Sequence, residues 1–199
     1  DPRAAADELE RTTRDLGFSG ALINGTTNGA YLDDDRFSVL WERASDLDVP
    51  IYIHPNNPAD TPAMYQGHSE MWGPVWSWTV ETGSHALRIL FSGVFDRYPN
   101  AKLILGHMGE TLPYQLWRFD SRWKISNRGS KKLELAPSEY FKRNFWCTTA
   151  GVCSDEPMRC AIDALGVERV MFSVDYPFER SEETAEWIET AKLSISERS

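Results

Sequence analysis

Positive charge is what this sequence has least to spare: 21 Lys and Arg stand against 30 Asp and Glu, a formal net charge of −9. A nucleic acid or an anionic membrane needs a basic footprint, so neither is expected as a partner. An anionic ligand here requires a local cation or a metal. Cysteine is also sparse. Cys147, Cys153 and Cys160 are odd in number and lack C-x-x-C spacing, which argues against a disulfide framework and suits reduced thiols in a cytoplasmic protein. Apolar runs of the roughly 20 residues that a spanning helix needs are missing. Asp1-Pro2-Arg3 leads into no apolar segment, so no signal peptide is expected. Neither G-x-G-x-x-G nor G-x-x-x-x-G-K-[ST] occurs, which removes the commonest nucleotide-binding loops.

What is present is apolar and aromatic. Of 199 residues 41% are hydrophobic and eight are Trp, enough for a sizeable core and a single domain over residues 1–199. Helix formers fill residues 4–16, and Gly17 supplies a C-terminal stop. The short apolar run 18–24 then reads as a buried parallel strand. The alternation repeats, with helices expected at 37–47, 81–95, 110–125, 157–165 and 182–192. Strands are expected at 49–54, 103–107, 145–149 and 169–175. Such repetition means an α/β fold, a parallel sheet wrapped by helices.

A (β/α)8 barrel of the TIM type and a doubly wound sheet both satisfy that pattern. The barrel is favoured because Asn24, His54, His107 and Asp175 all fall at the C-terminal ends of expected strands, the rim on which barrel enzymes carry their chemistry. Only about five βα units are visible, where a whole barrel takes roughly 250 residues. The chain is therefore expected to be a barrel lacking its N-terminal strands and a little of its C-terminal end.

Imidazole and carboxylate at converging strand ends point to a divalent metal, with a histidine satisfied by a backbone carbonyl as the plain alternative. In Leu105-Gly106-His107-Met108-Gly109-Glu110 the acid lies three residues beyond the imidazole, placed to orient or protonate it or simply to face a helix dipole. Between Tyr65 and Trp78 a Gly/Pro-containing connection carries three Trp and one Tyr. Those rings either wall a pocket for a planar ligand or pack over helices. His68 reads as a loop residue and His85 as a packing histidine inside a helix.

Three motifs, I-H-P-N-N-P, L-G-H-M-G-E-T-L-P-Y-Q-L-W-R-F-D and F-S-V-D-Y-P-F-E, resemble the amidohydrolase-related metal-dependent decarboxylases of hydroxybenzoic acids. The segment Y-Q-G-H-S-E-M-W-G-P-V-W-S-W-T-V-E-T is most similar to the γ-resorcylate (2,6-dihydroxybenzoate) branch. The resemblance implies a distorted barrel with one divalent ion, Zn2+ or Mn2+, and no organic cofactor. It implies His54 and Asp175 as metal ligands, and Asp175, His107 and Glu110 as the catalytic set. Asn24 and Trp78 match substrate-pocket positions, and Arg118 an arginine that reaches a neighbouring subunit's site in a homodimer or homotetramer. The family's Glu-x-His pair on the first strand has no counterpart upstream of Asn24. Loss of carbon dioxide from a small aromatic carboxylic acid is thus the expected activity. A metal-dependent lactonase on the same scaffold and an inactive barrel fragment are the competing readings.

Overall fold

The computed structural model describes residues 1–58, 60–126 and 133–198. Helix α1 (Pro2–Leu16) starts where the Asp1 carboxylate accepts from the Arg3 and Ala4 amides, and it ends at Gly17 with φ 71°. There follow β1 (Ala21–Asn24), α2 (Ser38–Asp46) and β2 (Pro50–His54), then a long connection built from 3-10 turns. Next come α3 (Ser77–Phe91), α4 (Val94–Arg97), β3 (Lys102–Leu105), a short turn labelled α5 (His107–Glu110) and α6 (Leu112–Ser126). The chain continues through α7 (Pro137–Asn144), β4 (Phe145–Thr148), α8 (Asp155–Leu165), β5 (Val170–Met171), α9 (Ser181–Thr190) and α10 (Ile195–Arg198).

The five strands are all parallel and lie in the order β1-β2-β3-β4-β5. A doubly wound sheet reverses direction partway across; this one does not. With right-handed crossovers, unidirectional stepping sends every connecting helix to the same face. The burial pattern agrees. Ile51, Ile53, Leu103, Leu105, Phe145 and Cys147 are at most 1% exposed and pack with Trp41, Leu90, Phe95 and Phe141. Alternate residues face the other way, so Leu22, Tyr52, Ile104 and Trp146 form one row in register across four strands. Rows of this kind fill the interior of a (β/α)8 barrel, and the architecture is that of five consecutive βα units of one.

Three elements differ from the sequence expectation. Strand β5 holds only Val170 and Met171, although the chain beyond it still meets the segment after β4, where the Gly151 amide donates to the Val174 carbonyl at 3.4 Å. Helix α7 was hidden inside what read as a connection. It is built by Pro137 at its first position and by Glu139, which accepts from the Ala136 amide at 2.9 Å. His107 does not end a strand; it lies two residues beyond β3, in a turn of unusual hand.

The loop after β1 is pinned to one face of α3. Tyr31 donates to Glu81 at 2.7 Å, the Leu32 amide donates to His85 Nε2 at 2.9 Å, and Arg88 pairs with both oxygens of Asp33. His85 is 1% exposed. Burial pulls its pKa from the ordinary 6.5 down to about 4, because the buried ring resists charge. A group depressed in the folded state contributes stability that is complete above its unfolded pKa and is lost as pH falls toward its folded one. Unfolding free energy is therefore expected to drop by up to about 3 kcal/mol between pH 6.5 and pH 4. Denaturant titrations across that range check it, and His85→Leu should flatten the dependence while lowering stability at pH 7.

Candidate active site

The C-terminal ends of four strands, β2 to β5, converge on one cavity of about 400 Å3, whose lining includes His54, Trp78, His107, Glu110, Gly151 and Asp175, followed in the chain by Phe178 and Glu179. Residues as distant in sequence as His54 and Asp175 thus share one wall, because consecutive parallel strands deliver their C-terminal ends to one rim.

His54 closes β2. Its Nδ1 lies 2.8 Å from the Pro55 carbonyl, which can only accept. The neutral ring therefore carries its proton on Nδ1 and leaves Nε2 as a lone pair, the arrangement in which a backbone carbonyl orients a ligating imidazole. Trp78 stands in the first turn of α3 with its ring centroid 6.5 Å from that of His54, and its indole N–H donates to Asn57 at 2.8 Å. The plane of the Trp wall is thereby set on two sides.

The segment after β3 runs through five successive positive φ values: His107 at 49°, Met108 at 54°, Gly109 at 78°, Glu110 at 53° and Thr111 at 63°. A left-handed turn of L-residues costs roughly 1–2 kcal/mol per non-glycine residue, and strain of this kind gathers at functional sites. Here it swings Glu110 back under His107, so that Nδ1 and Glu110 Oε1 meet at 2.7 Å. Glu110 is 2% exposed, and its Oε2 is buried without a hydrogen-bond partner among the described residues. On the opposite edge of the ring, His107 Nε2 lies 3.7 Å from Asp175 Oδ2. Burial lowers the imidazole pKa, but the Glu110 hydrogen bond and charge, joined by Asp175, outweigh it and raise the value above the ordinary 6.5.

Asp175 also holds a positive φ, 78°. Between it and His107 passes Gly151, just past β4, with φ +67°; an added Cβ would come within 3.0 Å of both Asp175 Oδ2 and His107 Cδ2. Behind this layer, Tyr52 OH meets Thr148 Oγ1 at 3.1 Å, and burial, followed by the nearby carboxylates of Glu110 and Asp175, raises the phenol's pKa. Gly151 and Tyr52 were not singled out from sequence. The Thr149-Ala150-Gly151 run after β4 was the only signal for Gly151, and Tyr52 had none beyond its place in the apolar run of β2.

The remaining expected residues are distributed differently. Asn24 stands beside His54 in register but is exposed and does not line the cavity. Arg118 lies on the exposed face of α6, near Tyr114 and Trp117, which are 80% and 77% exposed, and away from the cavity lining. Of the Trp-rich connection, only Pro74 and Trp78 reach the cavity with Thr79; Tyr65 and Trp72 pack edge-to-face on each other. His68 is exposed and paired with Glu70.

Imidazole nitrogen and carboxylate suit a divalent cation in kind. In number they fall short. A catalytic site uses three protein ligands, and among the described residues no group of three His, Cys, Asp or Glu is placed to hold an ion. His54 and Asp175 can serve such an ion only together with donors from outside the described residues.

The profile of the family described as Amidohydrolase matches residues 1–197. The γ-resorcylate decarboxylase of Polaromonas sp. (strain JS666) is 42% identical over 208 residues, an alignment covering all of this chain and 63% of that protein. A crystal structure of 2,6-dihydroxybenzoate decarboxylase complexed with 2,6-dihydroxybenzoate superposes with a TM-score of 0.93 at 38% identity, over the whole chain and 64% of that one. The dihydroxybenzoic acid decarboxylase of Polaromonas sp. JS666, with bound manganese and the inhibitor 2-nitroresorcinol, superposes at 0.87 with 42% identity, over 100% of this chain and 62% of its own. The chain thus spans a little under two-thirds of the length of these relatives.

Proposed function

Since the chain belongs to the amidohydrolase family, we propose that it is the larger part of a metal-dependent carboxy-lyase, a single catalytic domain that removes carbon dioxide reversibly from a hydroxybenzoate such as 2,6-dihydroxybenzoate. The observation that carries this reading is the meeting of His54, the His107–Glu110 pair, Asp175 and Trp78 around one cavity. Support comes from relatives named for decarboxylating hydroxybenzoates, one of them with manganese.

An aryl carbanion is too costly to form unaided, so the reaction begins by protonating the ring carbon that bears the carboxylate. A hydroxyl ortho to that carbon pushes electron density into the ring and makes it basic. The carbon–carbon bond then breaks, its electron pair restores the aromatic ring, and carbon dioxide leaves. His54 and Asp175, together with donors from outside the described residues, would hold a divalent ion, Mn2+ or Zn2+, which would supply Lewis-acid chemistry when bound. Asp175 holds the proton on its carboxyl and delivers it to the ring. His107, 3.7 Å away, returns a proton to Asp175, and Glu110 keeps the imidazole oriented and stabilises its charged form. Trp78 and Phe178, both in the cavity lining, offer apolar rings to the planar substrate. Arg118 and its aromatic neighbours on α6 serve a homo-oligomeric contact, and Asn24 the substrate end of β1. The three unpaired thiols fit a cytoplasmic setting, and no described helix is long and apolar enough to cross a membrane.

The test is a spectrophotometric assay with added Mn2+ or Zn2+ on 2,6-dihydroxybenzoate and other hydroxybenzoates, run beside a set of lactones. Metal-dependent release of carbon dioxide is the expected result, abolished by a chelator. Lactone hydrolysis without decarboxylation would overturn the assignment.

A further inference from the structure

The ladder between β4 and β5 stops early. Its last pair is Thr148 with Met171, followed by one further bond from the Thr149 amide to the Met171 carbonyl at 3.0 Å. Beyond that point a side chain holds the segment that leads to Asp175. Thr149 Oγ1 donates to the Ser173 carbonyl at 2.7 Å and accepts from the Ser173 amide at 2.9 Å. One hydroxyl thus satisfies both backbone groups of one residue, because it is donor and acceptor on a single atom. The Thr149 carbonyl in turn accepts from the Val152 amide at 2.9 Å and closes the turn that carries Gly151. Thr149 is 2% exposed and stands outside the lining of the catalytic cavity.

We propose that Thr149 is a positioning residue for the proton donor. It fixes the exit of β5 on one side and the Gly151 turn on the other, and so sets the 3.7 Å approach of Asp175 Oδ2 to His107 Nε2. The inference rests on reading Asp175 and His107 as the pair that moves the proton. Ser173 lies two residues before Asp175, and the Val174 carbonyl between them accepts from the Gly151 amide at a longer 3.4 Å. Asp175 itself, at φ 78°, has a conformation that an L-residue keeps only where its surroundings hold it. Removal of the hydroxyl leaves the amide and carbonyl of Ser173 without their partner, a loss that favours rearrangement of this stretch. The adjacent Thr148 is committed elsewhere, its hydroxyl 3.1 Å from Tyr52 OH.

The test compares two variants of the whole enzyme: Thr149→Val, which keeps the shape and removes the hydroxyl, and Thr149→Ser, which keeps the hydroxyl. In a crystal structure of the valine variant the approach of His107 to Asp175 is expected to lengthen by about 1 Å, a misplacement that costs on the order of 10^2 in rate. With added Mn2+ and 2,6-dihydroxybenzoate, its kcat should accordingly fall roughly 10- to 100-fold while KM stays within about threefold. The serine variant should restore the approach and hold kcat within about threefold of the wild type. Hydrogen exchange at the Ser173 amide should quicken in the valine variant and not in the serine one. Thr149→Cys, whose thiol is a weak donor and acceptor, keeps the test open if valine prevents folding. Its kcat should fall between the other two, and an unchanged kcat overturns the proposal. A valine variant that melts earlier but keeps both the approach and kcat gives Thr149 a structural role only and overturns it, as does a serine variant that loses as much kcat as the valine one. If the wild type decarboxylates no hydroxybenzoate, the functional reading falls, and the separation measured in the valine variant alone decides on Thr149.

Discussion

Asp175→Asn is expected to lower turnover by 10^3-fold or more while the protein stays folded. General acid catalysis alone is worth about 10^2–10^4, and Asp175 is assigned a second duty as a metal donor, which the neutral amide performs poorly. The fold should survive because the φ of 78° at this position lies in the left-handed region, where Asn is among the best-tolerated residues. Substrate affinity should change by less than about tenfold, since Trp78 and Phe178 are untouched. The decisive comparison is of single-turnover rate against fluorescence-detected binding. A variant that still turns over at close to the parent rate would remove Asp175 from the proton-donor role.

Gly151→Ala is the second substitution with a large expected consequence. The added methyl would stand 3.0 Å from Asp175 Oδ2 and from His107 Cδ2, at a backbone φ of +67°. Something must give, and the soft direction is apart: the 3.7 Å approach of His107 Nε2 to Asp175 should lengthen. A misplacement of about 1 Å at reacting groups costs on the order of 10^2 in rate, so kcat should fall about 100-fold with KM little changed. The left-handed strain of roughly 1–2 kcal/mol should also lower Tm by a few degrees. Because Asp175 contributes to the raised pKa of His107, the limb of the pH–rate profile that reports His107 should move toward lower pH. A purely structural role for Gly151 would lower Tm without moving that limb.

Much of the site was legible in the linear sequence. His54, Trp78, His107, Glu110 and Asp175 were all singled out, and all line one cavity. They were legible because a parallel βα array delivers strand ends to a common rim, so a polar residue that terminates an apolar run is conspicuous. Gly151 was not, since a glycine after a strand is ordinary until the atoms crowding it are known. Arg118 could be named by its motif, yet its solvent-facing position on α6 depends on which helix face packs inward. The Trp-rich connection could be read either as a wall or as packing, and it proved to be both, Trp78 in the cavity and Tyr65 against Trp72 elsewhere.

The sequence alone determined the class of fold, since the alternation of apolar runs and amphipathic stretches is a local property that each segment declares by its own periodicity. It also determined the donor chemistry, because imidazole and carboxylate are residue identities. What only the tertiary structure decided is spacing and hand. Gly151 holds His107 and Asp175 apart because segments dozens of residues apart meet there, and the left-handed turn that folds Glu110 beneath His107 packs against α3, β4 and α8. Distances of that kind follow from how helices and strands pack, and no periodicity in the chain encodes them.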